Sequence, residues 1–255
     1  MDAAADAAKR RWEEAFASLG RAAASGDAGA RAQLDVFEKC GLEALLAVPT
    51  KQRIHDQSAV FVCPGFAPPA ICDWLIERAA PRLRQSTVHD ARTGELRTDP
   101  RRTALDCGVE RDLISAMMQE RAARLTGAPV SHHEPPNVIS YEPGQKFDHH
   151  HDYIDPRQPG AAHELANLGQ RVITIVTYLN ADFEGAATDF PRLGVSFRGE
   201  KGDAIMFSNV LANGEPDLNT WHAGLPVLTG RKWVLSQWIR GRPLPAYAQL
   251  FPFCS

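Results

Sequence analysis

The stretch Phe147-Asp148-His149-His150-His151-Asp152-Tyr153 sets three imidazoles between two carboxylates. Nitrogen and carboxylate oxygen donors together suit a divalent first-row metal that keeps positions open for chemistry. On an extended chain, residues two apart point to one face, so a ligand pair is sought at that spacing. His150-x-Asp152 supplies one nitrogen and one oxygen donor, and a third ligand has to come from elsewhere. His222, between Trp221 and Ala223, is the one histidine of the later strand region. His150, Asp152 and His222 would make a two-histidine, one-carboxylate face, the donor set of non-haem Fe(II) sites. His149-x-His151 has the same spacing and would suit zinc with a later ligand, and a histidine cluster can also be solvated surface. Spacing alone leaves these readings open.

Outward from this stretch, short period-two or wholly apolar segments follow one another at 137–142, 171–180, 194–198, 203–208, 220–227 and 232–240. Gly, Pro, Asn and Asp separate them. Many short strands at that spacing predict a closed sandwich or jelly roll. Helical segments precede the strands instead of alternating with them, which argues against a nucleotide-binding α/β sheet. No GxGxxG or Walker phosphate loop occurs.

Upstream, Trp12, Phe16 and Leu19 recur at helical spacing, with Gly20 as a stop. Ser25-Gly26-Asp27 offers a turn and an N-cap for a second helix ending near Gly41, and Pro49 closes the region. A strand over 58–66 leads to a helix starting at Pro69, and another helix over 110–126 is closed by Gly127. The chain divides into a helical extension, 1–50, and a domain over 51–255 with its core at 137–240. The polar stretch 85–102, with a turn at Thr93-Gly94, and the stretch 153–170 are long enough to act as lids.

The strand Gly230-Arg231-Lys232-Trp233-Val234-Leu235-Ser236-Gln237-Trp238 carries a second signal. Lys232, Val234, Ser236 and Trp238 share one face; Trp233, Leu235, Gln237 and Ile239 share the other. A lysine in so apolar a strand is costly unless it lies at a solvent-facing edge or a carboxylate meets it. An oxygenase that uses 2-oxoglutarate needs such a cation for the distal carboxylate of that co-substrate.

The 255 residues carry 28 Lys and Arg against 31 Asp and Glu, a net charge of −3. That balance excludes binding of nucleic acid by bulk phosphate attraction, although Arg92 to Arg102 is locally basic. No apolar run of about 18 residues predicts a membrane span. The start of the chain lacks the apolar stretch of a secretory signal, and five scattered cysteines without CxxC read as reduced thiols. A cytoplasmic location is expected.

The stretch Tyr141-Glu142-Pro143-Gly144-Gln145-Lys146 followed by Phe147 to Tyr153 resembles the metal-binding signature of prolyl 4-hydroxylases. So do Gln170-Arg171-Val172 through Tyr178-Leu179-Asn180, Lys201-Gly202-Asp203-Ala204, and His222-Ala223-Gly224-Leu225-Pro226-Val227 followed by Gly230-Arg231-Lys232-Trp233. Arg102-Thr103-Ala104 is similar to an Arg-Thr-Ser element of the same family. The likeness is dense over 137–240, weaker back to 58, and does not reach the N-terminal helices.

The resemblance implies an α+β fold whose double-stranded β-helix (jelly-roll) core is packed by N-terminal and flanking helices. It implies Fe(II), with 2-oxoglutarate and O2 as co-substrates and ascorbate as a reductant. His150, Asp152 and His222 match the iron ligands, and Lys232 matches the lysine that meets the 2-oxoglutarate carboxylate. Tyr141 and Thr188 match hydroxyls supporting that carboxylate, while Phe147, Arg171 and Trp238 stand where the family faces its peptide. There are two departures. Gly185-Ala186-Ala187-Thr188 replaces a frequent Gly-Gly-Glu-Thr, and Arg240 stands where some members carry histidine; both concern substrate choice. The function implied is hydroxylation of a proline in a peptide or protein, with release of succinate and CO2. Hydroxylation of a free amino acid or small molecule is the alternative. A non-catalytic metal-binding module is the third reading, and the complete set of site residues speaks against it. The oligomeric state is left open.

Overall fold

Trp12 and Leu19 form the buried stripe of α1 (Ala3–Ala24), which runs through Gly20 instead of stopping there. One glycine costs a helix only about 1 kcal/mol, and the packed stripe on either side outweighs it. Asp27 caps α2 (Ala28–Cys40) by accepting the Ala30 N–H at 2.9 Å, and α3 (Leu42–Leu46) follows Gly41. The structure is a computed structural model and describes residues 3–89, 96–158 and 160–250, so the expected Thr93-Gly94 turn and Cys254 lie outside it.

Next come β1 (Gln52–Arg53) and β2 (Val60–Cys63), then α4 (Pro69–Ala79), which begins on its proline. β3 (Arg84–Gln85), β4 (Val88–His89), β5 (Leu96–Arg97) and β6 (Leu105–Gly108) precede α5 (Leu113–Thr126). A reciprocal Asp112–Ser115 capping box opens α5, and left-handed Gly127 closes it. β7 (Asn137–Tyr141) and β8 (Phe147–His150) lead to α6 (Ala161–Leu168). The remaining strands are β9 (Arg171–Tyr178), β10 (Phe183–Gly185), β11 (Thr188–Phe190), β12 (Val195–Phe197) and β13 (Ala204–Ser208). They are completed by β14 (His222–Gly224), β15 (Val227–Gly230) and β16 (Lys232–Arg240).

Eight strands make one sheet in the order β1-β2-β13-β9-β16-β7-β6-β3, and four make a second, β12-β11-β14-β8. Every pairing is antiparallel, including β16 between β7 and β9. This is the jelly-roll core that the strand pattern predicts. α6 breaks the expectation of an unbroken loop over 153–170.

β16 is buried along its whole length because both faces are covered. Trp233, Leu235 and Ile239 pack outward into one apolar cluster with Ile71, Met117 and Phe37. The N-terminal helices therefore share the core of the sheet they cover. Val234, on the opposite face, joins Tyr141, Ile139 and Tyr178 in an inner cluster. The alternation read from the sequence thus separates a structural face from a cavity-facing one.

Candidate active site

β8 and β14 are neighbours, and their register sets His150 directly opposite His222. Asp152 follows two residues after His150, and one ligand atom from each of the three lies within 4.8 Å of the others. His150 Nε2 is 3.5 Å from Asp152 Oδ1, and His222 Nε2 is 3.8 Å from Asp152 Oδ2. Each imidazole is oriented through its other nitrogen. His150 Nδ1 donates to the Asp148 carbonyl at 2.8 Å, and His222 Nδ1 donates to the Thr220 carbonyl at 2.9 Å. Both Nε2 lone pairs therefore converge on one point.

The carboxylate is held in the same way. Asp152 Oδ2 accepts from Thr174 Oγ1 at 2.8 Å, and Thr174 Oγ1 accepts from Asn209 Nδ2 at 3.0 Å. Burial works against the Asp152 charge, but the His150 hydrogen bond and the fields of His222, His150 and Arg171 hold it well below the usual carboxylate range. Burial, with His150 nearby, pulls His222 down to about 4, so it stays neutral and able to ligate. Phe147 stacks on His150 with ring centroids 3.7 Å apart, and Phe207 packs edge-on to His222 at 4.7 Å. Two imidazole nitrogens and one ionised oxygen, each fixed by a second partner, fit a divalent metal with open positions. His149 turns instead toward Asp189, at 3.6 Å, and His151 packs on Trp221 at 4.8 Å. Among the described residues neither joins a group of metal donors.

Lys232 faces the cavity that holds all three donors, as do Val234, Ser236 and Trp238. It is 3% exposed and pairs with no carboxylate among the described residues. Its Nζ donates to the Ala186 carbonyl at 2.7 Å and otherwise meets the rings of Tyr178, at 4.8 Å, and Tyr141, at 5.5 Å. Burial alone brings its pKa down to about 7. Ala186 adopts a positive φ of 54°, a strained conformation for a residue with a Cβ, at the position whose carbonyl holds the ammonium.

Tyr141 is buried, its hydroxyl meets no described hydrogen-bond partner, and burial pushes it to about 12, so it remains a donor. Thr188 Oγ1 is engaged by Tyr178 Oη at 2.8 Å, and Tyr178 also donates to the Phe197 carbonyl at 2.9 Å. Tyr178 was not singled out from the sequence. Thr174, Val176 and Tyr178 share one face of β9, but Arg171, the β9 residue picked out from the sequence, lies an odd number of positions from them, so counting by twos from it misses that face.

Arg171 forms a two-pronged pair with Glu134, at 2.7 and 2.9 Å, and lies 4.2 Å over the Trp238 ring. Arg102 sits over Phe147 at 5.1 Å and pairs with Asp106 at 2.8 Å. Arg240 does not reach the cavity as its substrate-linked position in the resemblance suggests. It is 1% exposed and spent on Glu134, Glu164 and the Gly169 carbonyl. Glu134 carries no period or motif that would mark it in the sequence.

Residues 136–240 match the family profile of the 2OG-Fe(II) oxygenase superfamily. The chain is 37% identical over 166 residues to prolyl 4-hydroxylase subunit alpha-1 of Rattus norvegicus, covering 64% of this chain and 31% of that protein. It therefore spans about a third of that relative's length. It is 33% identical over 198 residues to prolyl 4-hydroxylase 1 of Arabidopsis thaliana, covering 71% of this chain and 68% of the plant protein. Among solved structures, viral collagen prolyl hydroxylase from Paramecium Bursaria Chlorella virus-1, a 2OG complex, aligns with a TM-score of 0.56 at 25% identity. That alignment covers 74% of this chain and 99% of the viral one.

Proposed function

Because the chain belongs to the prolyl 4-hydroxylase family of 2OG-Fe(II) oxygenases, we propose that it hydroxylates a proline in a peptide or protein, converting 2-oxoglutarate and O2 to succinate and CO2. The observation that carries this reading is Lys232, a buried cation without a carboxylate, in one cavity with a buried His-Asp-His set.

His150, Asp152 and His222 would hold Fe(II), which when bound would supply the oxidising chemistry for coupling 2-oxoglutarate decarboxylation to hydroxylation of a C–H bond. The chain's own residues do the rest. The carbonyls of Asp148 and Thr220 fix the imidazole tautomers, and Thr174 and Asn209 fix the carboxylate. Lys232 holds the distal carboxylate of 2-oxoglutarate as a point charge, and the Tyr141 hydroxyl donates beside it. Thr188 contributes to the same wall through its bond to Tyr178. Phe147, Trp238 and Arg171 form the aromatic and cationic side that meets the peptide. The apolar members of the lining, Ile139, Phe147, Val176 and Val234, limit water around the reacting centre.

Ascorbate is the reductant in this proposal. A cytoplasmic location belongs to it as well, and the free thiols of Cys40, Cys63, Cys72 and Cys107 support that placement. The test is succinate release by the iron-loaded chain with proline-rich peptides, with free proline and without either. Stimulation by a peptide, with hydroxyproline in the product, is expected. Stimulation by free proline alone would replace the peptide reading with the small-molecule one.

A further inference from the structure

Phe147 combines two contacts that no other described aromatic side chain combines. It lines the cavity that holds His150, Asp152, His222 and Lys232. It also stacks on the imidazole of a metal donor, His150, with ring centroids 3.7 Å apart and 17° between the planes. A metal held by that imidazole lies in its plane beyond Nε2, so a phenyl ring laid on it borders the metal position. The ring is well held. The Phe147 backbone pairs with Gly224 and bridges to Arg102, whose guanidinium lies 5.1 Å from the ring centroid. The side chain also packs against the inner apolar cluster around Ile139 and Val234.

Each of the other aromatics near the site fails one condition. Phe207 and Phe190 touch His222, at 4.7 and 5.4 Å, but both are fully buried and neither lines the cavity. Tyr141 lines the cavity beside Lys232, 5.5 Å from the ammonium, where the distal carboxylate of 2-oxoglutarate would cover it. Trp238 lines the cavity under Arg171, at 4.2 Å, and stacks on no donor of the described metal site. A filled site keeps reactive chemistry on its substrate, whereas an empty one leaves the lining as the nearest source of C–H bonds.

We propose that Phe147 is a self-modification site, hydroxylated on its ring when the iron-loaded chain turns over 2-oxoglutarate with no substrate in the cavity. The step balances. The O–O bond of O2 breaks, 2-oxoglutarate loses CO2 and takes one oxygen atom to become succinate, and one ring C–H becomes C–OH with the other atom. Two electrons come from 2-oxoglutarate and two from the ring, so no further reductant enters. The product is a phenol, which places a hydrogen-bonding group beside His150 where an apolar edge stood. This rests on the reading of the chain as a 2OG-Fe(II) oxygenase and is independent of whether its substrate is a peptide or a small molecule.

The test incubates the iron-loaded full chain with 2-oxoglutarate and isotopically heavy O2, with no substrate, and follows succinate and the mass of proteolytic fragments. Cleavage after Lys146 and Arg157 releases a fragment that begins at Phe147 and also holds Tyr153, and sequencing it by tandem mass spectrometry separates the two. One heavy oxygen atom on Phe147 is expected, growing with succinate and absent when 2-oxoglutarate is left out. Succinate release without the label, or a label that falls first on Tyr141, Tyr153, Phe207 or Trp238, would overturn the proposal and leave the oxygenase reading standing. A label that forms equally without 2-oxoglutarate would be adventitious iron chemistry and would overturn it too. If no succinate forms, the visible band of the anaerobic chain with Fe(II) and 2-oxoglutarate separates the two failures. With the band present, the chain is loaded and the proposal alone fails; with the band absent, the oxygenase reading fails with it.

Discussion

Lys232 loses most of its hydration on burial and receives one carbonyl in return, which is why its pKa sits at about 7. An anion in the cavity would restore the charge. The sign of the pH dependence follows directly. Below about 7 the free protein carries the ammonium and binds 2-oxoglutarate; above it the ammonium is lost, and affinity should fall about tenfold per pH unit. Anaerobic 2-oxoglutarate titrations from acid to alkaline pH check this, and Lys232→Arg should flatten the alkaline fall because arginine stays charged. Lys232→Ala should raise the KM for 2-oxoglutarate about a hundredfold, the scale expected for breaking a buried charge pair. An unchanged KM would move the co-substrate's anchor elsewhere. Lys232 was legible from the sequence because period two assigns its face without tertiary knowledge. Glu134 was not, because its partners Arg171 and Arg240 lie 37 and 106 positions away.

Elements with strong local signals were read correctly, and those held together from a distance were not. Asp27, Pro69 and Gly127 mark helix ends by their own chemistry, and β16 declares itself by the apolar runs Trp233-Val234-Leu235 and Trp238-Ile239. Gly20 misled because a glycine's cost is local while the stripe that overrides it spans the whole of α1. α6 escaped notice because arginines from the far end of the chain hold it, and the three-residue strands β10 and β11 are too short to show a period. The N-terminal helices look separable in sequence yet pack on the main core. Phe37 is 2% exposed and meets Phe16 edge-on at 4.4 Å. Phe37→Ala should therefore lower the unfolding free energy of the chain by about 3–5 kcal/mol in one transition, measured by urea denaturation. A separate early transition would show instead that α1–α3 unfold on their own.

Across the whole molecule, one face of the large sheet carries stability and the other carries chemistry, and the two can be perturbed independently. His133 belongs to the first kind. It is fully buried, its Nε2 meets the Ala128 carbonyl at 3.2 Å, and burial pulls its pKa from 6.5 to about 4. Between those values the unfolded chain takes up a proton that the folded chain refuses, so stability falls as pH drops through 6.5 and levels off near 4. The loss amounts to about 3 kcal/mol. His133→Gln, which keeps a donor for Ala128 and cannot titrate, should remove that part of the acid slope in urea denaturation; an unchanged slope would assign it to other groups. The chemical face is tested most directly by adding Fe(II) and 2-oxoglutarate to the metal-free chain without oxygen and recording the visible charge-transfer band. The band should appear in the parent, persist in His149→Ala and His151→Ala, and vanish in His150→Ala. Its absence from the folded parent, or its survival in His150→Ala, would contradict the metal centre described here.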